Sequence, residues 1–168
     1  PLLKKAADLL PKNPEILYHL GIAQCGLAQE PAAIETLRRA LALGSNFPGA
    51  DRASNTVAAL GIPAEDVDTK DAPALERAAA FKPASLAARY RLALLAERQG
   101  QPDKARQALQ TLVAENPDYW PGAASLALLS LDRAADLSSA WAIAVKAREA
   151  QPGDFTASEA VARLAYRQ

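Results

Sequence analysis

The chain has 168 residues, 50% of them apolar and 23% charged, the composition of a globular protein able to bury a core. Its formal net charge is zero, so it lacks the basic footprint with which nucleic-acid binders displace counterions. No apolar run reaches the roughly 18 to 20 residues of a membrane span, no secretory h-region opens the chain, and a single cysteine excludes an internal disulfide.

Residues 1–11 read as a helix with Leu2, Leu3, Ala6 and Leu10 on one face, closed by Pro11. This looks like the second helix of a pair whose first lies upstream. With no methionine and an opening on Pro1, the chain reads as a processed product or an excised fragment. Asn13 can cap the next helix, with Pro14 at its first position. Leu17, Leu20-Gly21, Ala33, Leu37 and Ala40 then recur at helical spacing across a turn at Ala28-Gln29-Glu30-Pro31, so 13–45 reads as a helical hairpin. Gly44 to Pro48 is a turn signal. A short helix follows over Pro48 to Leu60 with Ala50, Ala53, Val57 and Leu60 inward, and Gly61-Ile62-Pro63 stops it. The acidic stretch Ala64 to Lys70 has no period and reads as a loop or one loose turn. Asp71 then caps a helix over Ala72 to Phe81, with Leu75 and Ala78 inward and Pro83 closing it. Residues 48–83 thus read as a degenerate hairpin with an inserted loop over 61–70.

The clearest unit is 84–117. Leu86, Tyr90, Ala93 and Leu94 form one apolar row and Leu92, Leu95 and Ala96 another, so this helix packs on more than one side. Gly100 suits a left-handed helix end and Pro102 the first turn of the next helix. That helix carries Ala105, Ala108, Leu109 and Leu112 and stops at Asn116-Pro117. Pro11, Tyr18, Leu20, Ala33 and Leu37 each recur 72 positions on, as Pro83, Tyr90, Leu92, Ala105 and Leu109. In 118–152, Leu126-Ala127 lies 34 residues after Leu92-Ala93. Ala140, Ala144, Ala147 and Pro152 lie 35 after Ala105, Leu109, Leu112 and Pro117, which places one inserted residue near Ala134 to Asp136. Residues 154–168 start a further first helix.

The small residues and proline at Leu92-Ala93, Ala96, Ala105, Leu109, Leu112 and Pro117 resemble the tetratricopeptide-repeat family, whose period is about 34 residues. The family's aromatic positions are not matched, and Arg89 stands at the first of them. The resemblance implies an all-α fold, a right-handed superhelix (solenoid) of antiparallel helix pairs over 1–168. The first helix of each pair then lines a concave groove. Carried over by position, the lining residues are Tyr18, Ile22 and Cys25, then Tyr90, Leu94 and Glu97 with Arg98 beside them. Ala124, Leu128 and Leu131 follow, then Glu159, Arg163 and Tyr166. The resemblance implies a non-catalytic scaffold that binds a protein partner, as an extended peptide or an amphipathic helix with its anchors against Tyr18, Tyr90 and Leu94. The bland alternative is that these residues contact neighbouring helices. The lysine- and asparagine-rich carboxylate clamp of some relatives is absent. Arg39 to Gly44, Phe47-Pro48 and the helix ending at Leu60 are similar to the closing segment of repeat lipoproteins from bacterial exopolysaccharide and exosortase systems, which implies an envelope or periplasmic scaffold.

Nothing in the sequence assembles a catalytic or metal centre, and no cofactor is expected. His19, the single histidine, and Cys25 lie six residues apart, about 240° around a helix, so they do not share a face. His19 reads as a surface or groove residue and Cys25 as a small packing residue. Glu65, Asp66, Asp68 and Asp71 lack EF-hand spacing and read as a solvated loop. Trp120 reads as a helix staple and Trp141 as a filler of space left by alanines, with an interface anchor as the alternative for either. Two other readings stay open. The chain could be the helical-repeat segment of a larger enzyme, which the full-length sequence would decide, or it could self-associate through its terminal helices.

Overall fold

The computed structural model describes residues 2–131 and 137–167, and among them all regular structure is helical. The residue expected to be inserted near Ala134 to Asp136 lies outside the described residues. Contacts gather the chain into two compact units, Pro1–Arg91 and Leu92–Gln168. The first holds α1 (Leu2–Leu9), α2 (Pro14–Gly26), α3 (Glu30–Ala42), α4 (Ala50–Leu60) and α5 (Ala72–Ala79). The boundary falls within α6 (Leu86–Arg98), and the second unit holds α7 (Pro102–Glu115), α8 (Trp120–Leu129), α9 (Leu137–Ala150) and α10 (Phe155–Arg167).

In the first unit α2 and α3 form the tightest pair. Asn13 Oδ1 accepts the N–H groups of Glu15 and Ile16 at 3.0 and 3.1 Å, which satisfies two donors that the first turn of α2 cannot. Gly21 lets the two helices touch: a Cβ there would sit 2.6 Å from Leu37 Cγ. Leu17, Ala33, Leu37, Ala40 and Ala53 are buried around that contact, and Phe47 and Leu60 close it.

The turn after α2 has the same hydrogen bonds as the turn after α6. Gln29 N–H reaches Gln24 C=O and Ala28 N–H reaches Cys25 C=O. Gln101 N–H likewise reaches Ala96 C=O, and Gly100 N–H reaches Glu97 C=O. Each is a left-handed helix stop, with φ +72° at Gly100 and +55° at Ala28. An alanine in that region crowds its own Cβ against the next carbonyl, whereas glycine does not. Ala28→Gly should therefore raise the unfolding free energy by about 1 kcal/mol, and Gly100→Ala should lower it by a similar amount. Urea titration of the two variants checks both signs.

Several expectations need correction. In α1 the buried residue is Ala7, not the leucine face; Leu2 is 83% exposed and Leu10 55%. The stretch after α4 is not one loose turn. It forms two short 3-10 turns, Ala64–Asp66 and Thr69–Asp71, around a buried Val67. Asp71 holds the N-cap position of α5, as expected, but its side chain makes no cap bond to that helix. Asp68 accepts from Thr69 N–H, and Asp71 Oδ2 reaches back to Asp68 N–H, a reciprocal box around the second turn. The helix expected from Pro48 starts at Ala50, because Gly49 takes a left-handed φ of +99°.

In the second unit Ala108 is exposed, and Arg106 takes the expected place on the buried stripe with Ala105, Leu109 and Leu112. Its guanidinium donates to Leu129 C=O through Nε at 3.2 Å and Nη2 at 3.0 Å, and to Asp103 Oδ1 at 2.6 Å. Those bonds make burial of an arginine tolerable. Across α8, α9 and α10 the core is almost all alanine: Ala127, Ala140, Ala144 and Ala160 with Val161 and Leu164. Small side chains let three helix backbones approach, and the half-buried Trp141 and Ile143 fill the margins.

Candidate functional site

The second unit carries a groove of about 950 Å³ lined by four of its helices. The C-terminal end of α6 supplies Glu97, and the first turns of α7 supply Pro102, Asp103 and Arg106. The end of α8 gives Leu128 and Leu129, with Leu131 just beyond it. The last two turns of α10 give Ala162, Arg163, Tyr166 and Arg167. The volume lies in the range of clefts that seat a ligand or several peptide side chains. Tyr166 stands 91% exposed above an apolar floor of Leu128, Leu131 and Ala162.

Charges frame that floor. On the α6 flank Glu97 is solvent-exposed, yet partial desolvation raises its carboxyl above the ordinary range, with Arg98 opposing the shift. Asp103 is engaged by Arg106, which also donates through Nε and Nη2 to the Leu129 carbonyl. On the α10 flank Arg163 lies 3.5 Å from Glu159, and Arg167 Nη2 donates to Leu131 C=O at 3.0 Å. Arg167 thereby supplies a donor to the carbonyl two residues past the end of α8.

The residues expected to line a groove fall into two groups. Glu97 and Leu128, with Leu131, Arg163 and Tyr166, converge on this one. Leu94 and Ile22 are half-buried, and Arg98 is exposed beside Glu97 without lining the groove. Tyr18 and Tyr90 are buried. Tyr18 lies in the first unit's core, its ring 5.9 Å from that of Phe47 and its hydroxyl accepting from Arg52 Nη1 at 3.3 Å. Ala124, fully buried, serves the alanine core of α8. Cys25 is buried too, and desolvation, with Glu30 adding to it, pushes its thiol up to about 12. A thiol so placed stays protonated and unreactive near neutral pH.

Residues 72–129 match the family model described as tetratricopeptide repeat. That stretch of the chain is similar to the tetratricopeptide-repeat family. The matched stretch runs from α5 to α8 and contains 84–117, the unit that the sequence pattern marks most clearly. Two solved structures are similar to this chain. MamA 41-end from Desulfovibrio magneticus RS-1 is 25% identical over 91% of this chain and 84% of its own, at a TM-score of 0.42. The MamA RS-1 ArsTM double mutant is 25% identical over 89% and 82%, at a TM-score of 0.43. Likenesses below a TM-score of 0.5 fix neither the fold nor a residue's role. No curated protein sequence matches the chain.

No described helix is long and apolar enough to cross a membrane, and no described cluster of three or more His, Cys, Asp or Glu could hold a metal ion. Pro102, Asp103, Arg106, Leu129, Ala162 and Arg167 line the groove without being expected there from the repeat pattern. The family pattern assigns groove positions to first helices alone, whereas Pro102, Asp103 and Arg106 come from a second helix. A usable signal was the spacing of Leu131 and Tyr166, 35 residues apart, which marks them as equivalent positions on successive first helices.

Proposed function

We propose that the chain is a non-catalytic scaffold that binds a protein segment in the groove formed by α6, α7, α8 and α10. The convergence of Leu128, Leu131, Ala162 and Tyr166 between two charged flanks carries this reading. An exposed aromatic over an apolar floor is the arrangement that peptide anchors use. Each hairpin contributes as a repeat, with divisions at 13–45, 48–83, 84–117 and 118–152. The resemblance of 39–60 to closing segments of exopolysaccharide- and exosortase-system lipoproteins supports a bacterial envelope assembly as its setting.

The test is panning of a random-peptide phage library on the immobilised chain. Enriched peptides should carry apolar anchors, and their affinity should fall at least tenfold with Tyr166→Ala. That residue is exposed, so urea stability should stay within about 0.5 kcal/mol. Recovery of no enriched sequence, or of binders indifferent to Tyr166→Ala, would refute the assignment.

A further inference from the structure

The groove is electrically asymmetric along the order of its helices. α8 packs against both α7 and α10, so Leu128 at its end and Leu131 just beyond it lie between the two flanks. On the α7 side Asp103 pairs with Arg106, and Glu97 is the other charged residue lining that flank, with Arg98 close by but outside the lining. On the α10 side there are two cations, Arg163 and Arg167. The Arg163 pairing to Glu159 is long at 3.5 Å, with 60% of the arginine side chain exposed. Arg167 directs one N–H to a neutral carbonyl, which leaves its charge in place. A carboxylate that is partly desolvated gains more from an incoming cation than one in bulk water.

We infer that the occupant of this groove is a zwitterionic amphipathic helix, with an apolar stripe on Leu128, Leu131 and Tyr166, a basic end toward Glu97 and an acidic end toward Arg163 and Arg167. The inference rests on the binding reading above and adds the partner's chemistry to it. An all-basic helix meets two arginines on the α10 flank, and an all-acidic helix meets Glu97 on the other. Like charges brought together at the groove are costly, so both are selected against. The zwitterionic helix matches both flanks in one direction only, which also fixes its orientation.

The experiment uses three synthetic peptides of about 16 residues, enough for four helical turns. All share one Leu/Phe stripe; one carries Lys at one end and Glu at the other, one only Lys, and one only Glu. Binding to the full chain is followed by amide shifts of Leu128, Leu131 and Ala162 and by titration. The zwitterionic peptide should bind about tenfold tighter than either uniform peptide, and 0.5 M salt should narrow the gap. Glu97→Lys should make the all-Glu peptide the tightest binder, and Arg163→Glu should shift preference toward the all-Lys peptide. Equal binding by all three, or charge swaps without effect, overturns the inference while leaving the groove as a binding site. Absence of shifts at Leu128, Leu131 and Ala162 with every peptide overturns both.

Discussion

Glu30→Ala is expected to lower the unfolding free energy by about 3 kcal/mol or more, and Arg91→Met by only about half as much. The two residues form one fork: Arg91 Nη1 donates to Glu30 Oε1 at 2.9 Å and Nη2 to Oε2 at 2.8 Å. The same guanidinium donates through Nε to Ile62 C=O and through Nη1 to Ala87 C=O. One side chain therefore ties the first turn of α3, the chain leaving α4 and its own helix within the first unit. The asymmetry comes from solvent. Only 2% of the Arg91 side chain is exposed, against 29% for Glu30. Without Glu30 a guanidinium loses two charge-assisted bonds while its head stays out of water. Without Arg91 the carboxylate can turn outward and rehydrate, and methionine refills much of the volume. Urea unfolding of both variants decides the matter. An Arg91→Met cost equal to or above that of Glu30→Ala would show that the backbone acceptors, not the carboxylate, dominate.

That pair also marks where sequence reading stops. Hairpins are local: apolar spacing, Asn13 and Gly100 suffice to place α2, α3, α6 and α7, because caps and stripes act over one or two turns. Buried arginines are not local. Arg91 and Arg106 occupy apolar faces because carbonyls and carboxylates arrive from 3 to 61 residues away, and no periodicity in hydrophobicity announces them. The candidate groove was half legible for the same reason. Glu97, Leu128, Leu131, Arg163 and Tyr166 follow from the repeat register. Arg106 and Arg167 enter through hydrogen bonds to the carbonyls of Leu129 and Leu131, where α8 ends. Tyr18 shows the opposite error. Its position in the register is that of a groove residue, but the turn Gly44 to Pro48 departs from the regular repeat and folds Phe47 over it.

Gly49→Ala is the sharpest consequence of that turn and should cost about 2 to 4 kcal/mol, from left-handed strain and overpacking together. Gly49 takes φ +99°, so any L side chain pays for the backbone conformation whatever the space around it. There is no space either. A Cβ at Gly49 would lie 2.5 Å from Tyr18 Cζ and 2.6 Å from Cε1, in the ring itself. The ring cannot swing away cheaply, since Phe47 packs beside it and Arg52 holds its hydroxyl. The two contributions separate in a double-mutant cycle. In a Tyr18→Ala background the added methyl meets no ring, and Gly49→Ala should cost only the backbone share, about 1 to 2 kcal/mol. Equal costs in the two backgrounds would mean that Tyr18 does not rest on Gly49. Tyr18 would then be released from the core and open to a partner as its register position suggests. A reduced cost fixes Tyr18 as the side chain that seats the irregular turn on α2, and leaves partner contact to the groove of the second unit.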